Sequence, residues 1–257
     1  GIDLSVGSVA AIAGVAGASL IKQMPDAGIA ACIAVILVTA VVVGTICGSI
    51  NGFCIAKLNV PPFIATLAMM NAARGLAYVF TDAKPVFGLP DSFGWVGLRS
   101  IGVIPVSIVL MVIVIGLSYL VLSKTCFGRY IYAVGGNEDA ARLSGVSTAK
   151  VKLFVYVFCG ILSGIAGILI CSRITSGNGT VAEGYEMNAI SAAVIGGVSM
   201  TGGSGNVLGM VVGAMILTII QNSFDIMGVN SFYQNIIKGI IILLAVFLDL
   251  RGKKKKN

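Results

Sequence analysis

Apolar residues in this chain fall into eight runs: Leu4–Ile21, Gly28–Ala56, Pro61–Phe80, Gly102–Leu122, Val151–Cys171, Tyr185–Met200, Asn206–Phe224 and Phe232–Leu248. A helix needs about 20 mostly apolar residues to cross the hydrocarbon core of a bilayer. Most runs come near that length; the first and sixth are short enough to be re-entrant, and the second is long enough to tilt or break. A chain of 257 residues that is 57% hydrophobic and only 11% charged, with a mean hydropathy of +1.02, could not cover such runs as a soluble fold; soluble domains are about 25% charged. The pattern predicts an all-α, polytopic helical membrane protein of about eight spans, forming one domain over residues 1–257.

One long hydrophilic stretch interrupts this pattern. Ser123–Val151 carries Lys124, Arg129, Arg142 and Lys150 against Glu138 and Asp139. Local signals within it predict a short helix at about Glu138–Ser144. Asn137 is a good N-cap, and Glu138 and Asp139 put negative charge on the first turn, where the helix dipole favours it. Ala140, Ala141, Arg142 and Leu143 are helix formers. Gly145 is placed to end the helix in the left-handed conformation, and Ser147 to cap the next one.

Lysine and arginine set the orientation. With residues 123–150 and the C-terminus in the cytoplasm, the inner side holds Lys57, Lys124, Arg129, Arg142, Lys150, Lys152, Arg251 and Lys253–Lys256. The outer side holds only Lys22, Lys84, Arg99 and Arg173; Arg74 and Lys238 fall within spans. The positive-inside rule favours that assignment. Both reference segments lie inside only if the last three runs all cross. The run Lys253–Lys256 supplies much of the net charge of +7 and has no interleaved aromatics. It reads as a cytoplasmic anchor facing anionic lipid rather than as a nucleic-acid contact.

Enzyme chemistry finds little footing. The absence of histidine removes the usual metal ligand and general base. The six cysteines form no C-x-x-C pair, so neither a zinc site nor a disulfide framework is expected. No G-x-x-x-x-G-K-[ST] occurs; Gly202-Gly203-Ser204-Gly205 lacks the lysine of a phosphate loop. No catalytic residue, metal or cofactor is therefore expected on this chain. The chain starts Gly-Ile-Asp with no signal-peptide pattern, as expected of a chain lacking a natural N-terminal piece.

Glycine stripes stand at Gly44, Gly48 and Gly52, at Gly205, Gly209 and Gly213, and at Gly160 and Gly164. Each makes a flat helix face for close backbone approach, as ordinary packing or as a sliding seam. In the outer excursion Thr81–Ser100, Phe93 and Trp95 are expected at the membrane interface. Polar groups within apolar runs are costly and often functional. The candidates for a translocation path are Asp3, Asn51, Asn71, Arg74, Glu186 and Asn188; helix-to-helix hydrogen bonding is the alternative role for each.

The segment GRYIYAVGGNEDAARLSGV resembles the coupling loop of ATP-binding-cassette importer permeases of the ribose/xylose/galactoside type. Glu138, Ala140, Ala141 and Gly145 match its E-x-A-A-x-x-x-G pattern. GIDLSVGS at Gly1–Ser8, PPFIATLAMM at Pro61–Met70 and Arg74–Gly75 resemble the same family. So do Gly184–Gly209 and Ser231–Val246, which gives nearly full coverage in the family's order. The resemblance implies a permease of about ten spans, two of them before the GIDLSVGS segment, working as a homodimer in the bacterial inner membrane. It implies cytoplasmic ATPase subunits holding ATP and magnesium, docked on Gly136, Asn137, Glu138, Asp139, Ala140, Ala141, Arg142 and Gly145, and an extracytoplasmic sugar-binding protein. It implies a ribose-like monosaccharide as cargo. A polyol, a nucleoside or a branched-chain amino acid are alternatives, as is a stand-alone secondary transporter. The force from the ATPases is expected to reach the pore along the helix that follows Ser147.

Overall fold

The computed structural model describes residues 1–254. Lys255 and Lys256, the end of the expected lipid anchor, lie outside the described residues. The architecture is helical, with one two-residue hairpin, and it divides into two compact units.

One unit comprises Asp3–Leu117 and Ser147–Glu186. It holds α1 (Val6–Lys22), α2 (Ile29–Ala56), α3 (Pro62–Phe80), the single turn α4 (Trp95–Leu98), most of α5 (Val106–Tyr119) and α8 (Thr148–Ile174). The glycine stripe of α2 lies on α8. Gly44 abuts the backbone of Gly160 and Ile161, and Gly48 abuts that of Tyr156 and Val157. Gly164 meets Ala40, while Gly167 meets Ala10 of α1. A Cβ on Gly48 would stand 2.6 Å from Val157 Cα, so only glycine allows this approach. Around the seam, Ala13, Ile21, Ile36, Ile168 and Cys171 form the buried core. The stripes are thus packing within one chain.

The excursion after α3 folds back into this core. Val86 bridges to Gly177, and a hairpin pairs β1 (Ser100–Ile101) with β2 (Ile104–Pro105). Phe93 is 0% exposed, which corrects its expected place at the membrane interface. Its carbonyl accepts a hydrogen bond from Ser172 Oγ at 2.6 Å, and Ser172 Oγ in turn accepts from Gly97 N–H. The backbone of the excursion is tied to α8, and the ring goes inward with it.

The other unit comprises Gly1–Ile2, Ser118–Val146 and the chain from Met187 onward. After a π-helical turn at Leu120–Lys124 come α6 (Cys126–Gly136) and α7 (Glu138–Leu143), then most of α9 (Tyr185–Ile195), α10 (Val207–Ile226) and α11 (Ser231–Lys254). The glycines repeat the packing logic here: Gly196 meets Gly209, and Gly213 meets Ala192, joining α9 and α10 backbone to backbone.

Among the described residues, five helices are long and apolar enough to cross a membrane: Ile29–Ala56, Pro62–Phe80, Val106–Lys124, Thr148–Ile174 and Val207–Ile226. The first apolar run forms the shorter helix α1. The sixth, read as short enough to be re-entrant, forms a shorter helix still. Its helix, α9, has 11 residues, about 16 Å at 1.5 Å per residue, roughly half of a hydrocarbon core. Before it, Thr175–Gly184 is irregular, with positive φ at Thr175, Ala182 and Gly184.

Candidate functional site

The hydrophilic stretch builds a capped surface helix. Asn137 Oδ1 accepts from Ala140 N–H at 3.0 Å, so Asn137 is the N-cap of α7. At the other end Gly145 takes φ +83°, Gly145 N–H donates to Arg142 and Val146 N–H to Ala141. That pair of bonds is the Schellman arrangement, which needs a left-handed residue where glycine stands. Arg142 Nη2 reaches Glu138 Oε1 at 3.2 Å, and Nη1 lies 3.9 Å from Asp139. Arg142, Asp139 and Leu143 are exposed, with Leu143 at 90%. Ala141 is buried, which anchors the helix. The product is a short rigid knob with charge around one exposed leucine. Ser147 is the N-cap of α8 by position, without a side-chain bond.

The sequence reading missed α6. Its N-cap is Thr125, whose hydroxyl accepts from Gly128 N–H. The threonine before Phe127, Tyr130, Ile131 and Val134 was the available signal. Tyr132, on α6, donates to the Gly205 carbonyl at 3.1 Å. At the end of α6 the backbone of Gly135 and Gly136 lies against Gly202 and Gly203, whose φ values are +96° and +77°.

Three of the path candidates gather where α1 begins. Asn51 Nδ2 donates to Ser5 Oγ at 3.0 Å, and Ser5 Oγ donates to Asp3 Oδ1 at 2.6 Å. Ser5 and Asn51 are 1% and 2% exposed, so this relay is shielded. Asp3 also accepts from Ser5 N–H, placing a carboxylate at the positive end of α1. Glu186 lies against Gly7 of α1, and its Oε2 is buried without a hydrogen-bond partner. Tyr156, across the α2–α8 seam, has a buried hydroxyl in the same condition. Buried polar atoms are rarely left unpaired. Beside Asn51 opens an apolar cavity of about 300 Å³, lined by Ile50, Cys54, Ile64 and Met69 among others.

Arg74 stands elsewhere in that unit, in a clamp. From α3 its Nη1 donates to the Gly179 carbonyl at 2.6 Å and to the Val181 carbonyl at 2.8 Å. Both acceptors lie in the irregular stretch before α9, whose carbonyls have lost their helical donors. Asn71 is not drawn in with it; its amide bonds the Leu67 carbonyl of its own helix. Asn188, in the other unit, accepts from Gln221 of α10 at 3.3 Å, a helix-to-helix bond. Among the described residues, no cluster of three potential metal ligands occurs.

Apolar helices long enough to cross a membrane, with polar side chains buried among them, are the build of a multi-pass membrane protein. The chain belongs to the family described as branched-chain amino acid transport system / permease component, matched over residues 1–246. It is 43% identical over 254 residues to the ribose import permease protein of Escherichia coli, covering 97% of this chain and 77% of that one. The corresponding ribose import permease protein of Bacillus subtilis is 42% identical over 251 residues, covering 97% and 76%. The L-arabinose transport system permease protein of Escherichia coli is 41% identical over 263 residues, covering 99% and 76%. No solved structure matches the chain.

Proposed function

We propose that this chain is the permease subunit of an ATP-binding-cassette importer in a bacterial inner membrane, and that it passes a monosaccharide of the pentose class. The observation that carries the reading is the α7 knob. It is a rigid, doubly capped helix with an exposed leucine ringed by charge, on a family member whose phosphate-loop motif is absent. Such a chain needs an outside source of ATP energy, and α7 is a surface suited to a groove on a cytoplasmic ATPase. ATP and magnesium then belong to that partner, and no cofactor to this chain. A second permease copy and an extracytoplasmic sugar-binding protein complete the assembly.

The cargo reading rests on relatives named for ribose and L-arabinose at 41–43% identity, although the family description names branched-chain amino acids. The polar groups at the start of α1 suit a neutral, hydroxyl-rich cargo such as a sugar. Asp3 and Glu186, both half-buried, carry carboxylate oxygens that accept from hydroxyls.

The orientation follows from the same reading. Gly177 pairs with the outer excursion, and Gly203 abuts the coupling segment. The chain from Thr175 to Ile195 then acts as a split crossing, half irregular and half α9. Irregular backbone is tolerated at membrane depth where protein groups satisfy it, and Arg74 does so here. With that crossing, α10 and α11 all counted, the C-terminus is cytoplasmic, in line with the lysine and arginine distribution.

The test is reconstitution of the permease with its ATPase and binding protein in proteoliposomes, scored by ATP hydrolysis over a panel of pentoses, hexoses and branched-chain amino acids. Stimulation by a pentose and uptake of that sugar are expected. Stimulation by leucine or valine alone would overturn the cargo, and uptake without any ATPase would overturn the mechanism.

A further inference from the structure

The coupling segment does not share a compact unit with α8, the helix that follows it. Residues 118–146 cluster instead with the chain from Met187 onward. Within that unit the contact is made of backbone. A Cβ on Gly135 would stand 2.6 Å from Gly203 N. A Cβ on Gly203 would stand 2.5 Å from Gly136 Cα, and one on Gly202 2.8 Å from the Gly135 carbonyl oxygen. Gly202 and Gly203 both hold φ values that side-chain-bearing residues rarely adopt, so the turn between α9 and α10 is shaped to come this close. Tyr132 fastens the same turn through the Gly205 carbonyl.

Beyond the turn, glycines bring α9 and α10 backbone to backbone. Gly196 lies on Gly209, Gly213 on Ala192, and Gln221 donates to Asn188. Side chains can change rotamer and absorb a displacement, whereas a backbone-to-backbone contact has no such freedom. Close-packed contacts of this kind switch between discrete arrangements rather than deforming smoothly. The first turn of α9 carries Glu186, the unpartnered carboxylate that lies against Gly7.

We propose that the Gly135–Gly203 contact, pinned by Tyr132, is the joint through which force on α7 reaches the transport path, by way of α9 rather than α8. Gly135, Gly203 and Tyr132 are positioning residues: they touch neither cargo nor ATPase and act by making α6 and the α9–α10 turn move together. This rests on the reading of α7 as the ATPase-docking helix.

The test uses the permease reconstituted with its ATPase and binding protein. Gly135→Ala adds one methyl at the joint and, at the end of a helix, favours the helical conformation. Its expected result is at least a tenfold loss of sugar uptake and of sugar-stimulated ATP hydrolysis, with ATPase co-purification and unstimulated hydrolysis unchanged. Tyr132→Phe should lower sugar molecules moved per ATP several-fold while the assembly stays intact. Gly116→Ala, where an added Cβ meets nothing within 4 Å, should behave as wild type. Wild-type uptake ratios in both Gly135→Ala and Tyr132→Phe would overturn the joint. So would loss of ATPase co-purification in either, which would make the contact part of the docking surface. Should Gly135→Ala fail to accumulate, the uptake ratio of Tyr132→Phe decides. Failure of the functional reading shows separately, as a wild-type permease that neither binds the ATPase nor stimulates it.

Discussion

Arg74 on α3 holds the carbonyl of Val181, 107 residues away, at 2.8 Å, and with the same nitrogen holds Gly179 at 2.6 Å. One guanidinium thus replaces donors that a continuous helix would have supplied itself. Losing it strands two carbonyls, at about 1–3 kcal/mol for each that is buried. Arg74→Ala is expected to lower Tm in detergent and to cut uptake at least tenfold. Arg74→Lys, with a point charge in place of a planar fork, should recover stability in part. Thermal melts and uptake assays check this; an Arg74→Ala permease with unchanged Tm and uptake would show that the clamp is incidental.

In the Glu138–Arg142 pair the glutamate is 33% and the arginine 62% exposed, and a surface i,i+4 pair contributes only about 0.3–0.5 kcal/mol. Glu138→Gln and Arg142→Gln should leave Tm unchanged within about 1 °C while weakening ATPase co-purification at least tenfold. If both variants hold the ATPase as well as wild type, α7 is not the docking helix.

Asn137 caps α7 through Ala140 N–H. An N-cap asparagine replaced by alanine costs about 1 kcal/mol, which is roughly a fivefold change in an equilibrium constant. Asn137→Ala should therefore weaken ATPase binding about fivefold and Asn137→Asp much less. Affinity measured on the two variants side by side decides it; equal loss in both would point to direct contact by the amide instead.

Gly48 lies on the Tyr156–Val157 backbone. Gly48→Ala overpacks the α2–α8 seam, a change that costs about 1–3 kcal/mol, and should lower Tm by roughly 5 °C. A Tm equal to wild type would mean the seam opens readily.

Cys126, the first residue of α6, is the exposed cysteine among six; Cys32, Cys47 and Cys171 are buried, and Cys54 and Cys159 half-buried. A membrane-impermeant maleimide should label Cys126 in inside-out vesicles and not in right-side-out ones. The reverse pattern would invert the orientation assigned to the coupling segment.

How far the sequence foretold this arrangement depends on where the signal lies. The α7 helix was legible because its caps and first-turn acids are local and chemically distinct: Asn137, Glu138, Asp139 and Gly145 each act within one turn. The α6 helix is hard to read in the sequence because its start signal is Thr125, set among glycines and aromatics. The glycine stripes were visible on α2 and α10, but their partners, Gly160 and Gly196, are set by tertiary packing. Hydropathy reports that a residue prefers lipid or protein to water, not that its backbone is helical. The sixth run therefore read as a candidate crossing short enough to be re-entrant, with no sign that its helix is only 11 residues or that the backbone before it leans on Arg74. Asp3, Asn51 and Glu186 were recognised one by one as polar groups in apolar runs; their convergence at the start of α1 needed the fold. Asn188 and Asn71 showed the same signal and go to ordinary helix bonds.

At 28 residues α2 is about 42 Å long, well beyond a hydrocarbon core of about 30 Å. A lone helix of that length would settle its own angle in each bilayer. Joined to α8 through glycine backbone, α2 has no such independence. The two lean together as a single plank, and a thicker or thinner membrane would rotate both and everything fastened to α8. Bilayer thickness then becomes a variable that this unit feels as one body.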